Sequence, residues 1–197
     1  PKHFAVQKNP EVCGTARDLV EVPVKDGMLQ SAVVFLEGVE KGKAFEAKQN
    51  PAVMLKQDCN IIPYVFATAA KATMDIENQD PVMHNPHVYE VVGAARITMF
   101  NVGLPDKGSK LSQPVKLARK GKIVKVECDQ HDFMHTWGYV VDNPYYSLAS
   151  NGTYKIEGVP PGKYKLKVWA PIIGFQEAEI EVPASGSVTK DFEYSGA

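Results

Sequence analysis

Apolar and polar residues alternate along most of this chain with a period of two. That spacing puts every second side chain on one face of an extended strand. It predicts strands at 19–24, 31–36, 54–55, 61–66, 71–78, 97–100, 113–117, 123–128 and 138–142. The last third adds 152–158, 163–169, 177–182 and 188–194. Turn residues punctuate the series: Lys25-Asp26-Gly27, Glu37-Gly38, Asn143-Pro144, Asn151-Gly152 and Pro160-Pro161-Gly162. About a dozen short strands separated by turns predict an all-β sandwich or barrel. The polar segment 40–50 suits one helical turn or a loop. The sequence carries neither an amphipathic helix of useful length nor an internal repeat.

Composition narrows the class. The chain has 197 residues, 44% hydrophobic and 23% charged, with a net charge of −1. It is long enough to bury a core without depending on disulfides, and too apolar for disorder. The balanced charge gives no basic surface, so nucleic acid is not an expected partner. No apolar run approaches the roughly 20 residues of a membrane span. The chain opens at Pro1, which reads as a secreted protein whose signal peptide has been removed.

The chemistry gathers in two windows that hold four of the five histidines, 78–87 and 128–135, each expected in a loop after a strand. The second contains Cys128-x2-His131-x2-Met134. A thiolate, an imidazole and a thioether form a soft donor set, and softness selects copper. His84 supplies a second imidazole, completing the His2Cys set with a weak axial Met that defines a blue-copper electron-transfer site. Asn85 is expected to brace the site by hydrogen bonding. His87 and His135 are alternative ligands or outer-layer imidazoles. Cys13 and Cys59 have no histidine near them in sequence. They read as a disulfide, which implies an oxidising compartment, or as two reduced core thiols.

These residues resemble a group of bacterial secreted proteins that join a cupredoxin-like (plastocyanin-like) domain to a carboxypeptidase-regulatory-like β-sandwich. The matching pieces are Val12-Cys13-Gly14, 32–38, Asn78-x-Asp80 with His84-Asn85-x-His87, and Cys128-x2-His131-x2-Met134. Further matches are Tyr139-Val140-Val141 with Asn143-Pro144-Tyr145-Tyr146, and 152–164. The resemblance implies a periplasmic or extracellular copper or redox role, with His84, Cys128, His131 and Met134 as ligands. It also implies a cupredoxin-like Greek-key sandwich at 44–143, inserted into a small prealbumin-like, carboxypeptidase-regulatory-like sandwich made of 1–43 and 144–197; the alternative is two sequential domains split near Asn143. Two positions depart from the pattern. Tyr64 and Ala170 stand where such proteins often carry histidine.

Three functions compete. The first is electron transfer with one type-1-like copper, serving a redox partner such as a multihaem cytochrome or a copper oxidase across a small transient interface. The second is a periplasmic copper carrier with the same ligands in an open site. The third is a metal-free module of an extracellular assembly, associating into oligomers or filaments by strand addition near Tyr145-Tyr146. An enzyme is not expected, because no nucleophile–base pattern competes with the metal set.

Overall fold

The structure, a computed structural model, describes residues 1–45, 52–56 and 58–195, with the 52–56 strand described by its backbone. The described residues are almost wholly β, with one short helix at Pro10–Cys13. They form two compact units: Pro1–Glu21 with Ala47–Val140, and Val22–Glu46 with Val141–Ala197. Residues 1–21 thus belong to the body that contains both histidine windows, whereas the resemblance implied that 1–43 belong to the other.

The first unit holds two main sheets. One orders its strands Ala95–Asn101, Pro86–Val92, Ile123–Cys128, His131–Val141 and Val65–Ala69. The other orders Lys110–Pro114, Thr73–Asn78, Ala52–Lys56 and Asn60–Ile62, with Ala52–Lys56 parallel to Thr73–Asn78. Lys2–Ala5 pairs with Ala16–Leu19 as a small separate ribbon. Strict alternation explains the core. Met74 and Ile76 point inward from one sheet, Val88, Val124 and Val126 from the other, and all five are at most 1% exposed. Gly138 leaves room for the Phe66 ring, since a Cβ there would sit 2.3 Å from a ring carbon. Glu90, fully buried, accepts backbone N–H bonds from Ala118, Arg119 and Gly121 and so pins the turn before Ile123–Cys128.

The second unit is one antiparallel sheet ordered Tyr146–Ala149, Ala32–Glu37, Gly162–Ala170 and Gly174–Val182, plus the hairpin Val24–Lys25 with Met28–Leu29. Asp26 and Gly27 at the hairpin tip both have positive φ, as an Asp-Gly two-residue turn requires. Val34, Leu36, Leu166 and Val168 centre its core. Tyr154, Ile156, Val159, Phe192 and Tyr194 pack on that core from segments outside any strand.

Several predicted strands are corrected. The 19–24 pattern breaks after Leu19, and Val20 is half exposed. The 61–66 pattern splits at Pro63 into strands of different sheets, because proline has no N–H for a ladder. Segments 152–158 and 188–194 alternate like strands but form no ladder beyond a Ser150–Thr153 bridge; they pack through side chains instead. Pro86–Val92, which carries His87, and Tyr146–Ala149 are strands the pattern missed. Of the polar segment 40–50, residues 46–50 lie outside the described residues, and 41–43 form a bend.

Candidate metal centre

The two histidine windows meet inside the first unit. Cys128 ends one strand and His131 opens the next, so the pair spans a two-residue turn rather than a long loop. The ladder shifts register there: Glu127 faces His135, but Cys128 faces His131. In a regular strand His131 and Met134, three apart, would point to opposite faces. The shift works as a bulge and lets both be buried, at 2% exposure each. His84 reaches the same place from the other window. Its backbone bridges Leu104 in both directions, at 3.1 and 2.7 Å. Asn78 sets the loop ahead of it by donating to Val82 and Leu104 carbonyls and accepting the Asp80 N–H.

Both imidazoles turn the same nitrogen toward the thiol. His84 Nδ1 lies 3.6 Å and His131 Nδ1 3.7 Å from Cys128 Sγ. One ligand atom from each of the three residues fits within 4.8 Å, and all three side chains are buried. His84 Nε2 is 2.8 Å from Asp80 Oδ2. Donation of the Nε2 proton to that carboxylate leaves the Nδ1 lone pair facing sulfur, as a carboxylate does for a metal-binding histidine. Asn85 donates its backbone N–H to Cys128 Sγ at 3.5 Å, and Asp129 N–H returns to the Asn85 carbonyl at 3.1 Å. The two windows are thereby tied together.

Electrostatics prepare these groups for a cation. Burial pushes the Cys128 thiol up, opposed by the backbone N–H groups of Asn85, Gln130 and His131. Burial pulls His131 down to about 4, with repulsion from His84 and Lys8 adding to it. Burial also lowers His84, against the pull of Asp80. Near neutral pH both imidazoles are therefore neutral, the form that can bind a metal, and a soft cation would supply the charge that ionises the thiol.

The remaining candidates fall into separate roles. Met134 is buried in the same core cluster. His87 stands outside the triad: Nε2 meets Thr98 Oγ1 at 2.9 Å, and Nδ1 meets Asp129 at 3.1 Å and the Tyr89 hydroxyl at 2.8 Å. Asp129 also approaches Asn85 Nδ2 at 3.5 Å. His135 is not in the triad either. Its ring contacts Tyr64 and Trp137, and Nε2 is buried without a hydrogen-bond partner among the described residues. Tyr64 itself donates to the Glu21 carbonyl at 2.8 Å. Cys13 and Cys59 are bonded, with Cα atoms 5.2 Å apart.

Two features escaped the sequence. Asp80 belongs to the site as the group that orients His84; its position four residues before a histidine was the available signal. Cys13 Sγ lies 3.5 Å from His131 Nε2, so the disulfide abuts a candidate ligand. Nothing in the spacing of residues 13 and 131 foretells that. Two further donor groups arise from it, Cys13–Cys59–His131 and Cys59–Asp80–His84. Their disulfide sulfurs are already spent on each other. For these two groups the geometry supports a structural role.

No family model matches this chain, and no curated protein matches it. Among solved structures it is similar to a purple cupredoxin from Nitrosopumilus maritimus, at 16% identity and TM-score 0.38, over 46% of this chain and 98% of that one. It is also similar to a mutant amicyanin in its reduced Cu(I) form, at 18% identity and TM-score 0.36, over 55% of this chain and 98% of that one. A third is a Cu-containing nitrite reductase from Thermus scotoductus SA-01, at 16% identity and TM-score 0.37, over 63% of this chain and 28% of that one. At such identities and scores these resemblances say nothing of this chain's activity.

Proposed function

We propose that the first unit is a copper-binding module of the cupredoxin type. The particular role is that of an electron carrier in an oxidising, periplasmic or extracellular compartment. The observation that carries this reading is the convergence of two imidazole Nδ1 atoms on one free, buried thiol. Two nitrogens and one thiolate suit copper better than a hard cation. When bound, the metal supplies a one-electron couple. The chain does the rest. Cys128, His84 and His131 would hold it, Met134 of the same core cluster is a further candidate ligand, and Asp80 keeps His84 in the Nε2–H tautomer. The Asn85 N–H tempers charge on the sulfur. Burial would limit the access of water to the donor atoms.

His84 is 0% and His131 2% exposed. Such closure favours retention over release, and so an electron carrier over a copper carrier. The disulfide supports the compartment, and no helix among the described residues is long and apolar enough to cross a membrane. The second unit we assign to the carboxypeptidase-regulatory-like type, with the partner a redox protein and no catalysis at either unit.

Cu(II) titration followed by visible absorption and EPR tests the reading. One copper per chain, with an intense visible band that is lost in Cys128→Ser, is expected. A variant that keeps the band rules out Cys128 as the ligand. The second reading, a metal-free disulfide-stabilised β-module of an extracellular assembly, is favoured by one observation: the Cys13–Cys59 bond occupies two of the three donor groups. Absence of both stoichiometric binding and a band would establish it.

A further inference from the structure

Behind the two imidazoles, on the side away from Cys128, lies a second layer of donors. His131 Nε2 faces Cys13 Sγ at 3.5 Å. The Cys59 N–H donates to Asp80 Oδ2 at 3.2 Å, the oxygen that also meets His84 Nε2. Ligand atoms of Cys13, Cys59 and His131 lie within 4.8 Å of one another. So do those of Cys59, Asp80 and His84, and all of these side chains are buried. The second Asp80 oxygen, Oδ1, is fully buried yet has no hydrogen-bond partner among the described residues. A buried carboxylate oxygen left unpaired is costly unless something positive meets it. None of the electron-transfer roles assigned above uses it.

We infer that the Cys13–Cys59 disulfide masks a second metal site, which opens on reduction and takes Zn(II) on Cys13, Cys59 and His131 Nε2. The bond spends two sulfurs that, once freed, stand beside an imidazole nitrogen, and Cys59 also lies within 4.8 Å of an Asp80 oxygen. Two thiolates, one imidazole and one carboxylate oxygen are a tetrahedral zinc donor set; an Asp80 oxygen lies within 4.8 Å of the Cys59 and His84 ligand atoms, and Oδ1 is the one without a partner among the described residues. The opening step balances with a dithiol as reductant. Its two electrons and two protons break the S–S bond and form two thiols, while the dithiol closes to its own disulfide. Zinc then displaces the two thiol protons. A cleft of about 330 Å³, lined by Leu19, Cys59, Tyr64, Met134 and His135 among others, reaches Cys59.

This site shares His131 with the copper reading but does not need Cys128, so it is tested in full-length Cys128→Ser. The chain is compared as purified and after reduction with a phosphine, which, unlike a dithiol, does not compete strongly for zinc. Zn(II) is titrated against a chromophoric chelator. Reduced Cys128→Ser is expected to take one Zn(II) per chain at least 100-fold more tightly than the oxidised chain, and its melting temperature should rise with zinc. Cys13→Ser/Cys59→Ser/Cys128→Ser should lose that binding. Adding His131→Gln to Cys128→Ser should weaken it at least tenfold. Equal affinity before and after reduction overturns the inference. So does tight binding that leaves the melting temperature unchanged, the mark of thiols in an unfolded chain. Failure here leaves the copper reading intact, since copper is tested with the disulfide closed.

Discussion

Replacing Asp80 with asparagine should separate metal affinity from stability. Asp80 is completely buried, and one of its oxygens serves both His84 Nε2 at 2.8 Å and the Cys59 N–H at 3.2 Å, while the other has no partner among the described residues. Asparagine has nearly the same shape. Its amide oxygen still accepts those bonds, and its NH2 takes the place of the unpaired Oδ1. The apo protein therefore loses the extra strength of charge-assisted bonds and keeps an unpaired group at the Oδ1 position, but sheds a buried charge. The two effects are each of about 1–3 kcal/mol and oppose one another. The urea midpoint should move by about 1 kcal/mol or less in either direction. Copper affinity should not be spared. Without the carboxylate, His84 is a weaker base at Nδ1 and is less firmly held in the Nε2–H tautomer. Outer-layer carboxylates on metal-bound histidines are worth about 10–100-fold in affinity, or about 1.4–2.8 kcal/mol. The assay is competition for Cu(I) against a chromophoric chelator, alongside urea unfolding of the apo chain. Affinity equal to that of the native chain, with unfolding also unchanged, would refute the orienting role. A large loss of stability would show instead that Asp80 is chiefly a brace for the Cys59 loop.

Other outcomes follow from the same geometry. Met134→Leu should keep copper and raise the reduction potential, because leucine fills similar volume without offering an axial sulfur; loss of copper would give Met134 a larger part than an axial one. Cys13→Ser/Cys59→Ser should lower stability by about 4 kcal/mol, the loop-closure value for a separation of 46 residues, and an unchanged urea midpoint would refute it. Glu90→Ala should cost about 3 kcal/mol, because three backbone N–H groups lose their buried acceptor. A near-neutral Glu90→Ala in chemical unfolding would show that water replaces the carboxylate.

Much of the architecture was legible because strand alternation is local. The strands Thr73–Asn78, Ile123–Cys128 and Gly162–Ala170 announce themselves by every second residue being apolar, and the structure buries those residues on one side. Alternation does not report whether a segment has a neighbour to pair with. Segment 188–194 has the pattern yet joins no ladder, and its tyrosine and phenylalanine pack without one. Conversely, Pro86–Val92 is a central strand whose leading Pro-His and inward Glu90 hid it. A buried glutamate looks polar in sequence, and only the backbone N–H groups around it make that position interior.

The sequence by itself determined that this is a β protein and offered Cys128, His131, Met134 and His84 as soft donors, with His87 as an alternative to His84. Donor chemistry is a property of side chains, and short spacings are nearly a property of the strand end. Tertiary structure decided which histidine turns inward. It chose His84, through a backbone bridge to Leu104 and a carboxylate four residues away, and left His87 to Thr98, Tyr89 and Asp129. It alone placed the N-terminal arm with the 47–140 body and set the Cys13–Cys59 bond against His131. Contacts between residues more than 100 positions apart depend on how sheets and loops close in three dimensions, and no local period along the chain encodes that closure.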